Sequence, residues 1–131
     1  MSDNQQLNAL ADYLQQRKGV NERVLNDPLQ ALWQSTRELH GRFNVQPTIY
    51  VQIPLILEET AEAIKAGLFE SRQAVVGEIA DVIVVTLGLA MALGIPYEDV
   101  IAGIHETIRK NDGKTTDTHY LNPANKIARK T

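Results

Sequence analysis

The sequence predicts an all-α protein, a bundle of four to five helices whose core is completed by dimerisation. Apolar residues recur every three to four positions through most of the chain, as on one face of a helix. Carboxylates are paired at the same helical spacing. One segment, from Val75 to Leu93, is apolar on nearly every side, and a helix of that kind has to be covered all round.

Composition and length place bounds on the class of protein. The 131 residues are expected to form one domain, with an N-terminal helical extension at 1–28 and a basic tail at 112–131. Cysteine is absent, which excludes disulfides and thiolate metal sites. The N-terminus lacks a signal-peptide pattern. The longest apolar stretch, 79–93, is interrupted by Asp81 and short for a membrane span. We therefore expect a soluble cytoplasmic protein with no membrane partner.

The first two helices are indicated by apolar spacing and by caps. The first has apolar residues at 7, 10, 11 and 14 and is expected to stop near Lys18 and Gly19. Asp27 is a predicted N-cap followed by Pro28 at the first helical position. The second helix is expected to end around 41–43. The residues on its apolar face are Leu29, Leu32, Trp33, Thr36 and Leu39.

Three further helices follow a connector at 44–53. Pro54 is tolerated in the first turn of the third helix, which is expected to run to Ala66 and Gly67. Ser71 is the predicted cap of the fourth helix.

The fourth helix is expected to end at 94–96, at a Gly-Ile-Pro sequence. Pro96 then opens the fifth helix, which ends at 111–113. Beyond it the chain is polar and rich in turn residues.

Five carboxylates dominate the middle of the chain. They form an E-E-x-x-E motif on the third helix and an E-x-x-D motif on the fourth: Glu58, Glu59 and Glu62, then Glu78 and Asp81. Within each motif the side chains share one face of a helix. The last two are the only charged residues of the 75–93 helix.

Like charges at this density need a counter-charge. Two carboxylates about 4 Å apart repel by roughly 4 kcal/mol at an effective dielectric near 20. No lysine or arginine occurs between Val75 and Arg109. A hard divalent cation, Mg²⁺ or Mn²⁺, suits an all-carboxylate site. The alternative is a solvated acidic face with salt bridges, which suits residues 58–62 better than it suits Glu78 and Asp81.

Charge is distributed unevenly along the chain. Residues 1–108 hold seven Lys/Arg against fourteen Asp/Glu, whereas residues 109–131 hold six against two. An acidic body with a basic tail suits a polyanion whose metal lies on the body. Nucleic acid is not the expected partner, because six basic residues without interleaved aromatic residues make a weak nucleic-acid-binding surface.

Single residues outside the acidic motifs give weaker signals. The three histidines, at 40, 105 and 119, do not have the Glu-x-x-His spacing of di-iron helix bundles. Trp33 has two interpretations: it is a core residue, or it is a ring on which a nucleobase stacks.

Together the two acidic motifs resemble those of the all-α nucleoside triphosphate pyrophosphohydrolases, which include MazG-like proteins, phosphoribosyl-ATP pyrophosphohydrolase and dimeric dUTPases. The segment 38–43, E-L-H-G-R-F, looks like the one that precedes the acidic helix in phage-type members. Residues 111–114 look like the family's N-x-x-K, and 126–129 like its late basic pair. The resemblance covers roughly residues 30–130.

The resemblance implies an Mg²⁺-dependent enzyme that cleaves nucleoside triphosphates between the α- and β-phosphates, giving monophosphate and pyrophosphate. Glu59, Glu62, Glu78 and Asp81 are the metal ligands it implies, and Glu58 is the candidate to orient or deprotonate the attacking water. The implied phosphate and base contacts are Asn111, Lys114, Lys126, Arg129, Trp33 and His40.

Other interpretations stay open at this point. One is a dUTPase or a phosphoribosyl-nucleotide pyrophosphohydrolase. Another is a non-enzymatic, metal-stabilised helical bundle that binds nucleotides. The resemblance also implies a homodimer or a dimer of dimers, whose interface we expect to include Val84, Leu87 or Met91.

Overall fold

The computed structural model describes residues 2–15 and 27–131, whose regular secondary structure is helical apart from one small hairpin. The all-α prediction is confirmed. The predicted end of the first helix, near Lys18 and Gly19, lies outside the described residues. The elements are α1 (Asp3–Gln15), α2 (Pro28–Arg42), α3 (Ile49–Phe69), α4 (Arg72–Ala92), α5 (Tyr97–Asp112), β1 (His119–Leu121) and β2 (Ile127–Arg129).

The chain divides into two compact units, residues 1–94 and 95–131. In the first unit, α3 packs along α4, and α2 also contacts α4. The second unit consists of α5 and the antiparallel pair β1–β2. The prediction of a single domain remains a prediction.

Local capping explains why most helices begin and end where the sequence predicts. The Asp27 carboxylate accepts a hydrogen bond of 3.0 Å from the backbone N–H of Gln30, at the start of α2. The Ser71 hydroxyl accepts one of 3.2 Å from the N–H of Ala74, at the start of α4. Gly94 has a φ of 69° just beyond α4, a left-handed conformation that glycine adopts without strain.

The beginning of α3 corrects the sequence analysis. The connector predicted at 44–53 is wrong for residues 49–53, which are helical. Thr48 is the cap, and its hydroxyl accepts a hydrogen bond of 3.3 Å from the N–H of Val51. Pro54 is therefore the sixth residue of α3, where it has no N–H for the carbonyl of Tyr50. Tyr50 is exposed, so water can satisfy that carbonyl. The helix also extends to Phe69, beyond the predicted Ala66–Gly67.

The hairpin in the C-terminal unit was not predicted. Its register pairs His119 with Arg129, Tyr120 with Ala128, and Leu121 with Ile127. The turn between the strands is held by the Asn122 side chain, which accepts hydrogen bonds from the N–H groups of Ala124 and Lys126 at 3.0 and 2.9 Å. Each strand has three residues, too few for an alternating pattern to be visible in the sequence.

The core of the first unit is small. Its buried apolar side chains in the described residues are Ala31, Trp33, Ala66, Leu87 and Ala90, and none of the larger ones is fully buried. Meanwhile α4 exposes Val76, Ile79 and Ile83, each between 41% and 62%, and α3 exposes Leu57, Ile64 and Leu68 to between 60% and 68%. We call these six side chains the apolar stripes. A single chain therefore leaves much of its apolar surface in water.

Helix α4 is also the one described helix long and apolar enough to cross a membrane, with a mean hydropathy of 2.0 over its best window. That property belongs equally to core helices of soluble proteins.

The contact between α3 and α4 depends on one glycine. Gln52 is buried at 2% exposure, and its side-chain Nε2 donates a hydrogen bond of 3.0 Å to the carbonyl of Val85. A Cβ at Gly88 would lie only 2.1 Å from that nitrogen. The absence of a side chain at position 88 therefore allows a buried amide to cross between the helices.

Substituting Gly88→Ala should lower the free energy of unfolding by up to about 2 kcal/mol. Alanine favours the helix by about 1 kcal/mol, but displacing Gln52 strands a buried amide at a cost of about 1–3 kcal/mol. Urea unfolding of Gly88→Ala, Gln52→Ala and the double variant measures the coupling. The double variant should be less destabilised than the sum of the two single variants. Additive effects of the two single variants in the double variant would contradict the assignment.

Candidate active site

The two acidic motifs meet where α3 packs on α4. Glu59 lies on α3, and Glu78 and Asp81 lie on α4. One carboxylate oxygen from each of these three residues lies within 4.8 Å of the other two. The helical spacing of each motif places its carboxylates on one side of its helix, and the packing of the helices brings the two sides together.

Two of these carboxylates have oxygens that are sealed from water. Glu59 Oε2 and Glu78 Oε2 are buried and have no hydrogen-bond partner. An ionised group in such a position costs several kcal/mol unless a positive charge or a proton satisfies it. Asp81 is exposed, so one side of the cluster is open to solvent.

The pKa values of Glu59 and Glu78 are both raised, because their surroundings disfavour the charged form. Burial raises the pKa of Glu59 above its ordinary value, and the neighbouring charges of Glu62, Asp81, Glu78 and Glu58 raise it further. Burial also raises the pKa of Glu78, with added contributions from Glu62, Asp81 and Glu70 and from a side-chain hydrogen bond with Glu62. Every charged neighbour that shifts either group is another carboxylate.

The donor set fits a hard divalent cation. All donors are carboxylate oxygens, the type that Mg²⁺ and Mn²⁺ prefer, and the two orphaned oxygens need a positive partner. Glu59, Glu78 and Asp81 are the residues that the structure brings together for it.

The remaining members of the motifs lie at the edge of this group. Glu62 is exposed and within hydrogen-bonding reach of Glu78. Glu58 is exposed and close enough for its charge to act on Glu59. Glu70, which the sequence analysis did not select, adds to the negative field at Glu78. It caps the end of α3 outside both motifs, so no spacing pattern marks it.

Without a metal, the protein should become more stable as the pH falls from 7 towards 5. Glu59 and Glu78 have raised pKa values when folded, so the folded chain holds protons more tightly than the unfolded chain. Their contribution to the free energy of unfolding is complete below the ordinary pKa of 4.5 and is lost as the pH rises through the folded values.

Melting temperatures in a chelator at pH 5 and pH 7 measure this effect. The Glu59→Gln/Glu78→Gln double variant should show a smaller difference between the two, because it has lost both titrating groups. A parent protein that melts at a lower temperature at pH 5 than at pH 7 would contradict the assignment.

The other predicted contacts lie apart from the acidic motifs in the sequence. Trp33 is 7% exposed and belongs to the core of the first unit, not to a surface open to a base. His40 is half-buried in the last turn of α2. In the second unit, Asn111 and Lys114 line a cleft of about 400 Å³, and Lys126 and Arg129 belong to the hairpin and its turn.

Comparison with known families agrees with the acidic motifs. The family model for phosphoribosyl-ATP pyrophosphohydrolase matches residues 43–107. Those residues form a domain of this family. The family belongs to the MazG-like all-α nucleoside triphosphate pyrophosphohydrolase superfamily. The resemblance to this superfamily identified in the sequence is therefore confirmed. No curated protein and no solved structure matches the chain.

The extent of the pyrophosphohydrolase domain separates the predicted site residues into two groups. All five carboxylates lie inside residues 43–107, together with the whole of α3 and α4. Asn111, Lys114, Lys126 and Arg129 lie beyond it, and Trp33 and His40 lie before it. The match supports a pyrophosphohydrolase acting on nucleotides at a coarse level. The roles of residues outside the domain remain predictions.

Proposed function

We propose that the chain hydrolyses nucleoside triphosphates between the α- and β-phosphates, releasing a nucleoside monophosphate and pyrophosphate, in a reaction that requires Mg²⁺ or Mn²⁺. The observation that carries the proposal is the carboxylate group of Glu59, Glu78 and Asp81, which have one oxygen each within 4.8 Å of the others. Glu59 and Glu78 each also have a buried oxygen without a hydrogen-bond partner. The match of residues 43–107 to the pyrophosphohydrolase family model supports the type of bond that is cleaved.

Glu59, Glu78 and Asp81 would hold the cation, with Glu62 completing the set beside Glu78. A divalent cation there would favour deprotonation of water and neutralise phosphate charge. Glu58 is exposed at the edge of the group, where its carboxylate can accept a proton from the attacking water. The open side of the group, at Asp81, leaves room for the phosphates of the substrate.

A phosphoribosyl nucleotide is the second candidate substrate, and the family match favours it, because the matching model describes phosphoribosyl-ATP pyrophosphohydrolase. Both candidates require the same bond to be cleaved and the same acidic site. They differ in the group attached to the base.

A substrate panel with pyrophosphate detection tests the proposal. The panel contains the common ribo- and deoxyribonucleoside triphosphates, dUTP and phosphoribosyl-ATP, each with Mg²⁺ and with a chelator. We expect pyrophosphate only when the metal is present, and the preferred substrate decides between the two candidates. A first product of orthophosphate would mean that another bond is cleaved. No turnover of any substrate would favour a non-enzymatic helical bundle.

A further inference from the structure

The face of α3 that carries Glu59 also carries the two buried residues of that helix, Gln52 and Ala66. Gln52 precedes Glu59 by seven residues, which is two turns, or about 10.5 Å along the helix axis. Ala66 follows Glu59 by another seven residues and is buried at 0% exposure. The three positions therefore form one seam along α3, on the side that packs against α4.

The residues of α4 that meet this seam have the same spacing. The Gln52 amide donates to the carbonyl of Val85 at 3.0 Å, and the carboxylate of Glu59 lies beside that of Glu78, seven residues before Val85. A connection of two residues joins the helices, so they run antiparallel. Seven residues forward on α3 then correspond to seven residues back on α4. The amide contact and the acidic contact therefore belong to a single register of α3 against α4.

Apolar packing alone does not define this register. Helix α4 is apolar on nearly every side, so many rotations and shifts of it would cover a similar apolar area. The carboxylates of the acidic group repel one another when they are ionised, so they do not hold the two helices in place. A buried polar side chain with one partner is the feature that specifies register between packed helices.

Gly88 restricts the amide to one place along α4. A Cβ at position 88 would collide with Nε2 of Gln52. A shift of α4 by one turn would bring Val84 or Ala92 to that place, and each of these residues has the Cβ for which there is no room. A shifted register would therefore leave the amide buried without its partner, which is costly.

We propose that Gln52 is a positioning residue for the cation site, because its hydrogen bond to Val85 holds α3 and α4 in the register that brings Glu59 to Glu78 and Asp81. The inference rests on the cation site of the proposed function. Gln52 lies two turns from Glu59 and acts through it. Metal ligands have to be held within about 0.5 Å of their productive positions, so a small shift of one helix weakens binding.

Mn²⁺ affinity at a temperature where every variant is folded separates positioning from stability. Gln52→Met keeps the length of the side chain and removes the amide, whereas Gly88→Ala displaces the amide without changing it. Each should weaken Mn²⁺ binding by about tenfold, as when a residue that orients metal ligands is replaced. Electron paramagnetic resonance of free Mn²⁺ measures the affinities, and circular dichroism verifies that each variant is folded.

Both variants have a matched control. Thr36 is the other buried polar residue in the described part of the chain, and its hydroxyl donates to the carbonyl of Leu32, within α2, at 2.8 Å. Thr36→Val removes this hydrogen bond, which does not join α3 to α4. Gly77→Ala adds to α4 a Cβ that meets nothing within 4 Å. Both controls should bind Mn²⁺ within about twofold of the parent affinity, since distant sites act independently.

The affinities decide the role of Gln52, and pyrophosphate release decides the proposed function. Tenfold losses in Gln52→Met and Gly88→Ala with unchanged controls support the proposal, and a parent that shows them but releases no pyrophosphate would contradict the proposed function alone. Parent-like affinity in either Gln52→Met or Gly88→Ala, or an equal loss in the controls, would overturn the role of Gln52 even in an active enzyme. Absence of Mn²⁺ binding in the parent would overturn it as well.

Discussion

The Glu59→Gln variant should lose pyrophosphate release by about a thousandfold while its helical spectrum stays unchanged. Glu59 contributes an oxygen to the carboxylate group and has a second oxygen sealed from water. The amide keeps the shape of the side chain but removes its charge. A bound cation stabilises a transition state by several kcal/mol, and about 4 kcal/mol corresponds to about a thousandfold in rate. Steady-state turnover with saturating Mg²⁺ measures the loss.

Glu70→Gln is the matched control for this prediction. Glu70 also acts on Glu78 through its charge, but it lies outside the carboxylate group that the structure brings together. Its activity should stay within about threefold of the parent. Turnover undiminished in Glu59→Gln would remove Glu59 from the site. An equal loss of turnover in both variants would mean that activity depends on the net negative charge of the region and not on Glu59 as a metal ligand.

The second large effect concerns assembly, for which we propose a homodimer or a dimer of dimers. The buried apolar core of the described first unit consists of three alanines, Trp33 and Leu87, while the apolar stripes of α3 and α4 remain open to water. Covering them with a second copy gains roughly 25 cal/mol per Å², and closed two-fold dimers are the commonest oligomers.

The exposure of the residues of α4 changes which of them we propose for the interface. Leu87, one of the interface residues expected from the sequence, is 5% exposed within the chain itself, so Asp at that position would disrupt the fold of one chain. Val84 and Met91 are half-buried. The exposed stripe residues, Ile83 among them, are the sites that a partner can still cover.

Ile83→Asp should therefore convert the assembly into monomers or aggregates, as measured by sedimentation at micromolar concentration. A buried, unpaired carboxylate in an interface costs several kcal/mol. Val45→Asp is the control, because Val45 has similar exposure, 38% against 41%, and lies in the connector between α2 and α3. It should sediment like the parent protein. A well-folded parent monomer would defeat the proposal.

The helix ends at Asp27, Ser71 and Gly94 were predictable from the sequence. Each is fixed locally, by one capping hydrogen bond or by one positive φ angle at a glycine. The beginning of α3 was misplaced because proline is usually tolerated only in the first turn of a helix. Here Thr48 caps the helix earlier, and water can hydrogen-bond to the carbonyl that Pro54 leaves free. The hairpin was missed because its strands are too short to show a pattern.

The acidic site was predictable to the level of residues but not of geometry. Spacing alone places Glu78 and Asp81 on one face of a helix, but only the packing of α3 on α4 shows that Glu59 joins them. The burial of single oxygens and the field of Glu70 depend on tertiary contacts. In the cleft of the second unit, Thr115, Thr116 and Leu121 were not selected, because their proximity comes from the turn and the hairpin, not from a motif.

Titration of the metal-free protein with Mn²⁺, followed by calorimetry and by the melting temperature, tests the central claim most directly. We expect saturable binding that raises the melting temperature, since a ligand of the folded state alone stabilises it. Both effects should be lost in Glu78→Gln and in Asp81→Asn. Binding and melting curves that are the same in the parent and in these two variants would contradict a cation site between α3 and α4.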